Sequence, residues 1–253
     1  MSNSAGPTAA SHPRHDALLA EWCELVRRCR HEDGYGTGNG VANGAGNWVA
    51  NGAGGGARDG GGAPDPEPYG RDLLARWSEP QRRYHTVDHL VAVLARAVEL
   101  TGYADDPDAV ALAAWFHDAV YRPDRSENEE RSANLAERAL REAGLDEEKT
   151  NEVARLVRLT TTHDPADGDH NGEVLCDADL AVLAGGPADY ADYAAAVRAE
   201  YGFVPDPDFR AGRADVLRQL LALPRLFRTP YGQDKWEATA RRNVGTELEL
   251  LEA

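Results

Sequence analysis

The stretch PDAVALAAWFHDAVY, residues 107–121, decides the fold. Asp106 followed by Pro107 offers a helix cap and a proline in the first turn, where its missing N–H costs nothing. From Ala111 to Phe116 the residues are apolar all round, so a helix over 107–120 has no solvent face. Such a helix is the buried centre of its domain, and the rest of the chain has to cover it. The run then ends in His117-Asp118. An imidazole and a carboxylate at the end of a buried segment are costly unless something binds them.

Working outward, helical spacing recurs on both sides. Residues 16–30 place Leu18, Leu19, Trp22, Leu25, Val26 and Cys29 on one face, and residues 86–101 do the same with Leu90, Val91, Leu94, Ala97 and Val98. Ser126-Glu127-Asn128-Glu129 reads as a capping box opening a helix to about Ala143, stopped by Gly144. Further helices fit 147–163, 174–184 (ended by Gly185-Gly186), 187–201, 207–223 and 234–251, with Pro187 and Pro207 in first turns. Convincing strand alternation is absent. The expected fold class is all-α, an irregular bundle of eight to ten helices.

One segment does not belong to that pattern. Of the 25 glycines, 13 lie between Gly34 and Gly62, and VANGAG occurs twice, at Val41–Gly46 and Val49–Gly54. Gly-rich chain loses much entropy on folding and offers little apolar surface in return. Residues 32–66 therefore read as a disordered low-complexity insert, and residues 1–15 as a flexible N-terminus. Its Gly-x-Gly patterns make no dinucleotide fingerprint, because no strand precedes them and no helix follows. The expectation is one domain over 16–252; without the insert the chain keeps 218 residues, enough for a sizeable core.

Composition excludes several classes. The 253 residues carry a formal charge of −16, which argues against a surface that coats nucleic acid or anionic membranes. Mean hydropathy is −0.55, and no apolar run is long enough to span a bilayer. The opening MSNSAGPTAASHPRHD lacks the apolar core of a signal peptide. Cys23, Cys29 and Cys176 form neither a paired framework nor a CxxC, so they read as reduced thiols in a cytoplasmic protein.

Chemistry concentrates in a few polar residues beside apolar runs. His85 and His89 are four apart, which puts them one turn apart on the same side if both are helical. His117-Asp118 follows the buried helix, and Asp177-Ala-Asp179 precedes the apolar LAVL. Taken singly, each has a plain structural reading: a helix C-terminal cap, a polar face, an N-cap with a first-turn acid. Together, imidazoles and carboxylates with open positions suit one divalent ion among Mn, Fe, Co, Ni, Zn and Mg, and no cysteine spacing points to a thiolate zinc site.

In chain order, His89, His117-Asp118 and Asp179 resemble the H…HD…D signature of the HD superfamily of metal-dependent phosphohydrolases. The strings EPQRRYHTVDHL, AAWFHDAVY, NEERSANLA, TTTHD, DADLAVLAGG, VRAEYGFVPD and ATARRN resemble one bacterial branch of predicted phosphohydrolases, over about Leu18 to Leu251. The resemblance implies a metal held by His89, His117, Asp118 and Asp179, with Asp177 as second choice for the last ligand. His89-Leu90-Val91-Ala92-Val93 fits the family's first ligand better than the sequence after His85, which becomes a pocket residue. Related two-metal branches often carry a histidine where this chain has Asn128 before Glu129; that departure favours one metal, while His163 keeps a second site open.

The implied activity is hydrolysis of a phosphate ester of a nucleotide or small phosphometabolite. His85, Glu129 and His163 are the candidates for proton transfer, each otherwise a support for a ligand. Arg82 could clamp phosphate with its planar fork or cover Trp77. Tyr84 and Tyr121 could stack on a base or belong to the core, and Asn128 could donate to a phosphate oxygen or belong to its helix cap. Arg198, Glu200, Tyr201, Glu237, Arg241 and Asn243 read as a polar set between helices, paired structurally. Two other classes compete: a diiron oxygenase of the same fold, with His85 and His163 as extra ligands, and a nucleotide-binding module without turnover. Oligomeric state is open, with a homo-oligomer one option.

Overall fold

The computed structural model describes residues 12–32 and 63–253. Residues 1–11 and 33–62 lie outside them, and with them most of the expected N-terminal tail and Gly-rich insert. The described residues form eleven α-helices: α1 His15–Glu32, α2 Glu67–Trp77, α3 Val87–Glu99, α4 Pro107–Phe116, α5 Asn128–Glu142, α6 Glu147–Leu159, α7 His170–Leu180, α8 Pro187–Glu200, α9 Asp206–Ala222, α10 Pro230–Lys235 and α11 Glu237–Glu252. Short 3-10 turns follow α3 and α7. Among the described residues there is no strand, and no helix is long and apolar enough to cross a membrane.

α4 is the buried centre. Every residue from Ala109 to Phe116 except Ala111 is buried, and α1, α3, α5, α6 and α7 all pack on it. Asp106 caps it by accepting from the Ala109 N–H at 3.0 Å, and Lys149 pairs with the same carboxylate at 2.6 Å. Trp22, Trp77, Trp115 and Phe116 fill the space around it. Buried indole N–H groups need acceptors. Trp77 donates to the Trp115 carbonyl at 3.0 Å and Trp22 to the Pro66 carbonyl at 2.8 Å. Cys23, Cys29 and Cys176 are buried, and no disulfide joins them.

Four local expectations are corrected. α2 was not expected, because its start lies in the Pro/Gly run APDPEPYG. Its proline stands in the first turn, where it is tolerated, and its Leu73, Leu74 and Trp77 supply a buried face. The capping box at Ser126 does not form. α5 starts at Asn128 after a residue with no side-chain cap bond, although Gly144 ends it as expected, with φ of 86°. α4 stops at Phe116, so His117–Ala119 form a turn and not a last helical turn. α7 begins at His170, capped by Asp169, so Asp177 and Asp179 stand late in a helix and are neither N-cap nor first-turn acids.

Gly70 is required by close packing of α2 on α1. A Cβ there would meet Trp22 Cδ1 at 2.5 Å and Leu19 Cδ1 at 2.8 Å. Trp22 cannot easily retreat, since its N–H is held by Pro66. Gly70→Ala is expected to cost about 1–3 kcal/mol as overpacking. Thermal denaturation of the variant checks this; an unchanged midpoint would show that the two helices slide apart freely.

Candidate metal centre

Three neighbouring helices bring the site together, since α3, α4 and α7 pack on one another. α3 carries His89 on the same buried face as Val87, Leu90 and Val93. The C-terminal end of α4 carries His117, and α7 carries Asp179 near its end. One ligand atom from each of His89, His117 and Asp179 lies within 4.8 Å of the others. The Nε2 atoms of His89 and His117 are 3.2 Å apart, and Asp179 Oδ1 is 3.1 Å from the first and 3.6 Å from the second. Asp118 joins from the other side, its Oδ2 3.3 Å from His117 Nε2 and 3.8 Å from His89 Nε2.

The backbone fixes which nitrogen faces inward. His117 Nδ1 lies 2.8 Å from the Ala114 carbonyl, a carbonyl that the end of the helix leaves without an intrahelical partner. A carbonyl only accepts, so Nδ1 carries a hydrogen and Nε2 points to the cluster. Trp77 packs against both imidazoles, with ring centroids 5.4 Å from His117 and 6.1 Å from His89.

The electrostatics test whether a cation fits. Burial favours the neutral form of His117, but Asp118 and Asp179 override it and push its pKa up to about 9. Burial opposes ionisation of both aspartates, yet His117 and its neighbours hold Asp118 and Asp179 well below the usual carboxylate range. His89 goes the other way, lowered chiefly by burial. The cluster is thus two ionised carboxylates and two imidazoles, buried and crowded. It attracts positive charge, and a divalent ion matches the two carboxylates in charge and both residue types in donor chemistry.

His163 and His85 approach the two carboxylates from outside. His163 Nε2 is 2.8 Å from Asp179 Oδ2, and its backbone φ of 50° makes it the one non-glycine residue with positive φ among those described. A bulky residue in that region is held there by its surroundings at a cost of about 1–3 kcal/mol, a pattern common at functional sites. His85 precedes α3, so it does not share a helix face with His89. Its Nε2 reaches to 3.9 Å from Asp118 Oδ2.

The remaining sequence candidates take varied positions. Arg82 is not an exposed fork: its guanidinium is buried over Trp77 and Tyr121 and donates to the carbonyls of His85, Asp118 and Ala119. It staples the loop before α3 to the turn after α4, and so sets where His85 and Asp118 stand. Tyr84 packs 4.8 Å from both His85 and His89 and from Tyr193, while Tyr121 stacks on His85 at 4.1 Å. Asn128 turns its amide inward to the Arg122 backbone and the Arg125 carbonyl, closing the loop 122–128. Glu129 is half-buried in the first turn of α5.

Asp177 stands two residues from Asp179, roughly 200° round the helix. Its oxygens accept from the backbone of Arg228 at 2.7 Å and of Thr229 at 2.8 Å, and from the Thr229 hydroxyl at 2.6 Å. It holds the start of α10 and takes no part in the cluster. Sequence reasoning missed Glu200, grouped there with structural ion pairs. It reaches back 115 residues to place Oε2 at 2.6 Å from His85 Nδ1. The signal was a charged residue ending a helix in VRAEYG, but its partner is not local in sequence. No family model, no curated protein and no solved structure matches the chain.

Proposed function

We propose that this chain is a metal-dependent phosphohydrolase of HD type, acting on the phosphate ester of a small molecule, with nucleotides among the candidates. The observation that carries the reading is the buried cluster of His89, His117 and Asp179 with Asp118 beside it. Its order along the chain supports the same reading. A divalent ion bound there would polarise a phosphate oxygen and lower the pKa of the attacking water toward neutrality. The protein's own part is placement. α3, α4 and α7 hold the donors rigidly, Trp77 walls them off on one side, and Arg82 fixes the two loops at the rim. His85 and His163 stand beside the carboxylates, within reach of a proton moving to or from a substrate oxygen. The overall negative charge of the protein leaves phosphate recognition to the bound cation.

Two measurements test this. Metal analysis of the purified protein is expected to find close to one divalent ion per chain, and a panel of nucleotides and phosphometabolites to yield inorganic phosphate. Two irons with oxygen consumption would favour the oxygenase instead, and tight nucleotide binding without turnover would favour a binding module. Metal removal provides a further prediction. An ion at 100 times its Kd stabilises the folded state by about 2.7 kcal/mol. For a domain of this size that raises the thermal midpoint by roughly 5–10 °C. A midpoint indifferent to every divalent ion tried would sink the metal site.

A further inference from the structure

The cluster explains its own four residues but not the buried carboxylate beside it. Glu200 is the last residue of α8, and its side chain is fully buried. Its Oε1 accepts from three successive backbone N–H groups, of Arg83 at 3.0 Å, Tyr84 at 3.3 Å and His85 at 3.3 Å. Its Oε2 is 2.6 Å from His85 Nδ1. Burial alone would raise this carboxyl, but the bond to His85, with the Arg83 and His85 N–H donors, brings it down to about 2. An ionised carboxylate can only accept, so Nδ1 carries a hydrogen.

The rest of the His85 ring is equally constrained. Tyr121 lies flat against one face, with centroids 4.1 Å apart and planes 29° from parallel. Tyr84 meets it edge-on at 4.8 Å. Nε2 is the polar atom left, and it points into the site, 3.9 Å from Asp118 Oδ2. That distance is too long for a direct hydrogen bond, yet an oxygen about 2.8 Å from each could sit between them. The ligand atoms that converge within 4.8 Å are those of His89, His117 and Asp179; His85 and Asp118 both stand just outside that group.

We infer that Glu200 is a positioning residue that locks His85 in the Nδ1–H tautomer with the Nε2 lone pair facing the cluster, making His85 the proton carrier of the reaction. The inference rests on the phosphohydrolase reading. In the step assigned to it, Nε2 takes a proton from the attacking water as its oxygen bonds to phosphorus. The bond from phosphorus to the leaving oxygen breaks, and the imidazolium returns that proton to the leaving oxygen. One water is consumed, and an alcohol and phosphate are formed. Geometry of this kind is needed because a base with its hydrogen on the wrong nitrogen cannot accept from the substrate side.

Glu200→Gln tests it. The amide oxygen can still accept from the three backbone N–H groups, but its NH2 would donate to His85 Nδ1 and force the hydrogen onto Nε2. With the protein loaded with Zn²⁺ or Mg²⁺, kcat is expected to fall about 100-fold or more with KM little changed. Metal content should stay at the wild-type level. Nitrogen NMR of His85 should show Nδ1–H in the wild type and Nε2–H in the variant. Wild-type kcat in Glu200→Gln, or Nε2–H in the wild type, would overturn the inference. If Glu200→Gln does not fold, His85→Ala serves: metal retained, activity lost and partly restored by added imidazole supports the proton carrier. Loss of the metal in His85→Ala would make His85 a ligand and overturn it. The expected tautomers without any phosphate release would leave Glu200 in place as the residue that sets His85 and remove the phosphohydrolase reading.

Discussion

Asp179→Ala is expected to empty the metal centre while leaving the fold standing. The carboxylate contributes Oδ1 at 3.1 Å from His89 Nε2 and 3.6 Å from His117 Nε2, and Oδ2 at 2.8 Å from His163 Nε2, so one substitution removes the acid that faces three imidazoles. Loss of a partner outside the ligand set already costs about 10–100-fold in metal affinity, so loss of a ligand should cost at least about 100-fold. Phosphate release should fall with it, by about 1,000-fold, since the cation and the carboxylate that holds it are lost together. His117→Ala and Asp118→Ala are expected to behave alike. The metal-free variant should lose some stability as well, because the surrounding imidazoles hold Asp179 ionised well below the usual carboxylate range, but no backbone donor is orphaned, so the fold persists. Metal analysis, turnover and a thermal scan on the same preparation check all three. Normal metal content and turnover in Asp179→Ala would end the assignment.

The sequence carried the helices better than their ends. α4 was legible because six consecutive apolar residues have one structural meaning, and the same residues forced attention onto His117-Asp118. α2 was hidden because proline and glycine mark loops in isolation, whereas here the first takes a first-turn position and Gly70 makes room for Trp22. The capping box goes unused because the helix starts two residues after Ser126, at Asn128, whose amide is tied to the Arg122 backbone and the Arg125 carbonyl. Of the site, the donors that share a cluster were visible as polar residues interrupting apolar runs. What could not be read was direction. Asp177 and Asp179 look equivalent in CDADL, and only their angular separation on α7 sends one to the cluster and the other to α10. Glu200 and Arg82 act on backbone groups, which leave no trace in a pattern of side chains.

That separation makes Asp177→Ala the counterpart of the first experiment, with the opposite outcome. Asp177 is fully buried, and its two oxygens take the N–H of Arg228, the N–H of Thr229 and the Thr229 hydroxyl. Alanine would leave two backbone donors and a hydroxyl without acceptors in a dry place. Each such orphan costs about 1–3 kcal/mol, with the hydroxyl able to turn toward other partners. The expected loss is about 3–5 kcal/mol, which for a chain of this size lowers the thermal midpoint by roughly 6–20 °C. Burial pushes the Asp177 carboxyl up to about 6, so the comparison belongs at pH 8, where the wild type has the ionised acceptor. Asn would restore one acceptor but turn an NH2 toward donors, so it should recover only part of the loss. A Cβ on Gly232 would stand 2.6 Å from Asp177 Oδ2 and 2.7 Å from Phe227 Cβ, so the start of α10 sits tightly on this carboxylate. The folded fraction of Asp177→Ala should still bind its metal with wild-type stoichiometry. A variant as stable as the wild type that had lost its metal would exchange the roles of the two aspartates.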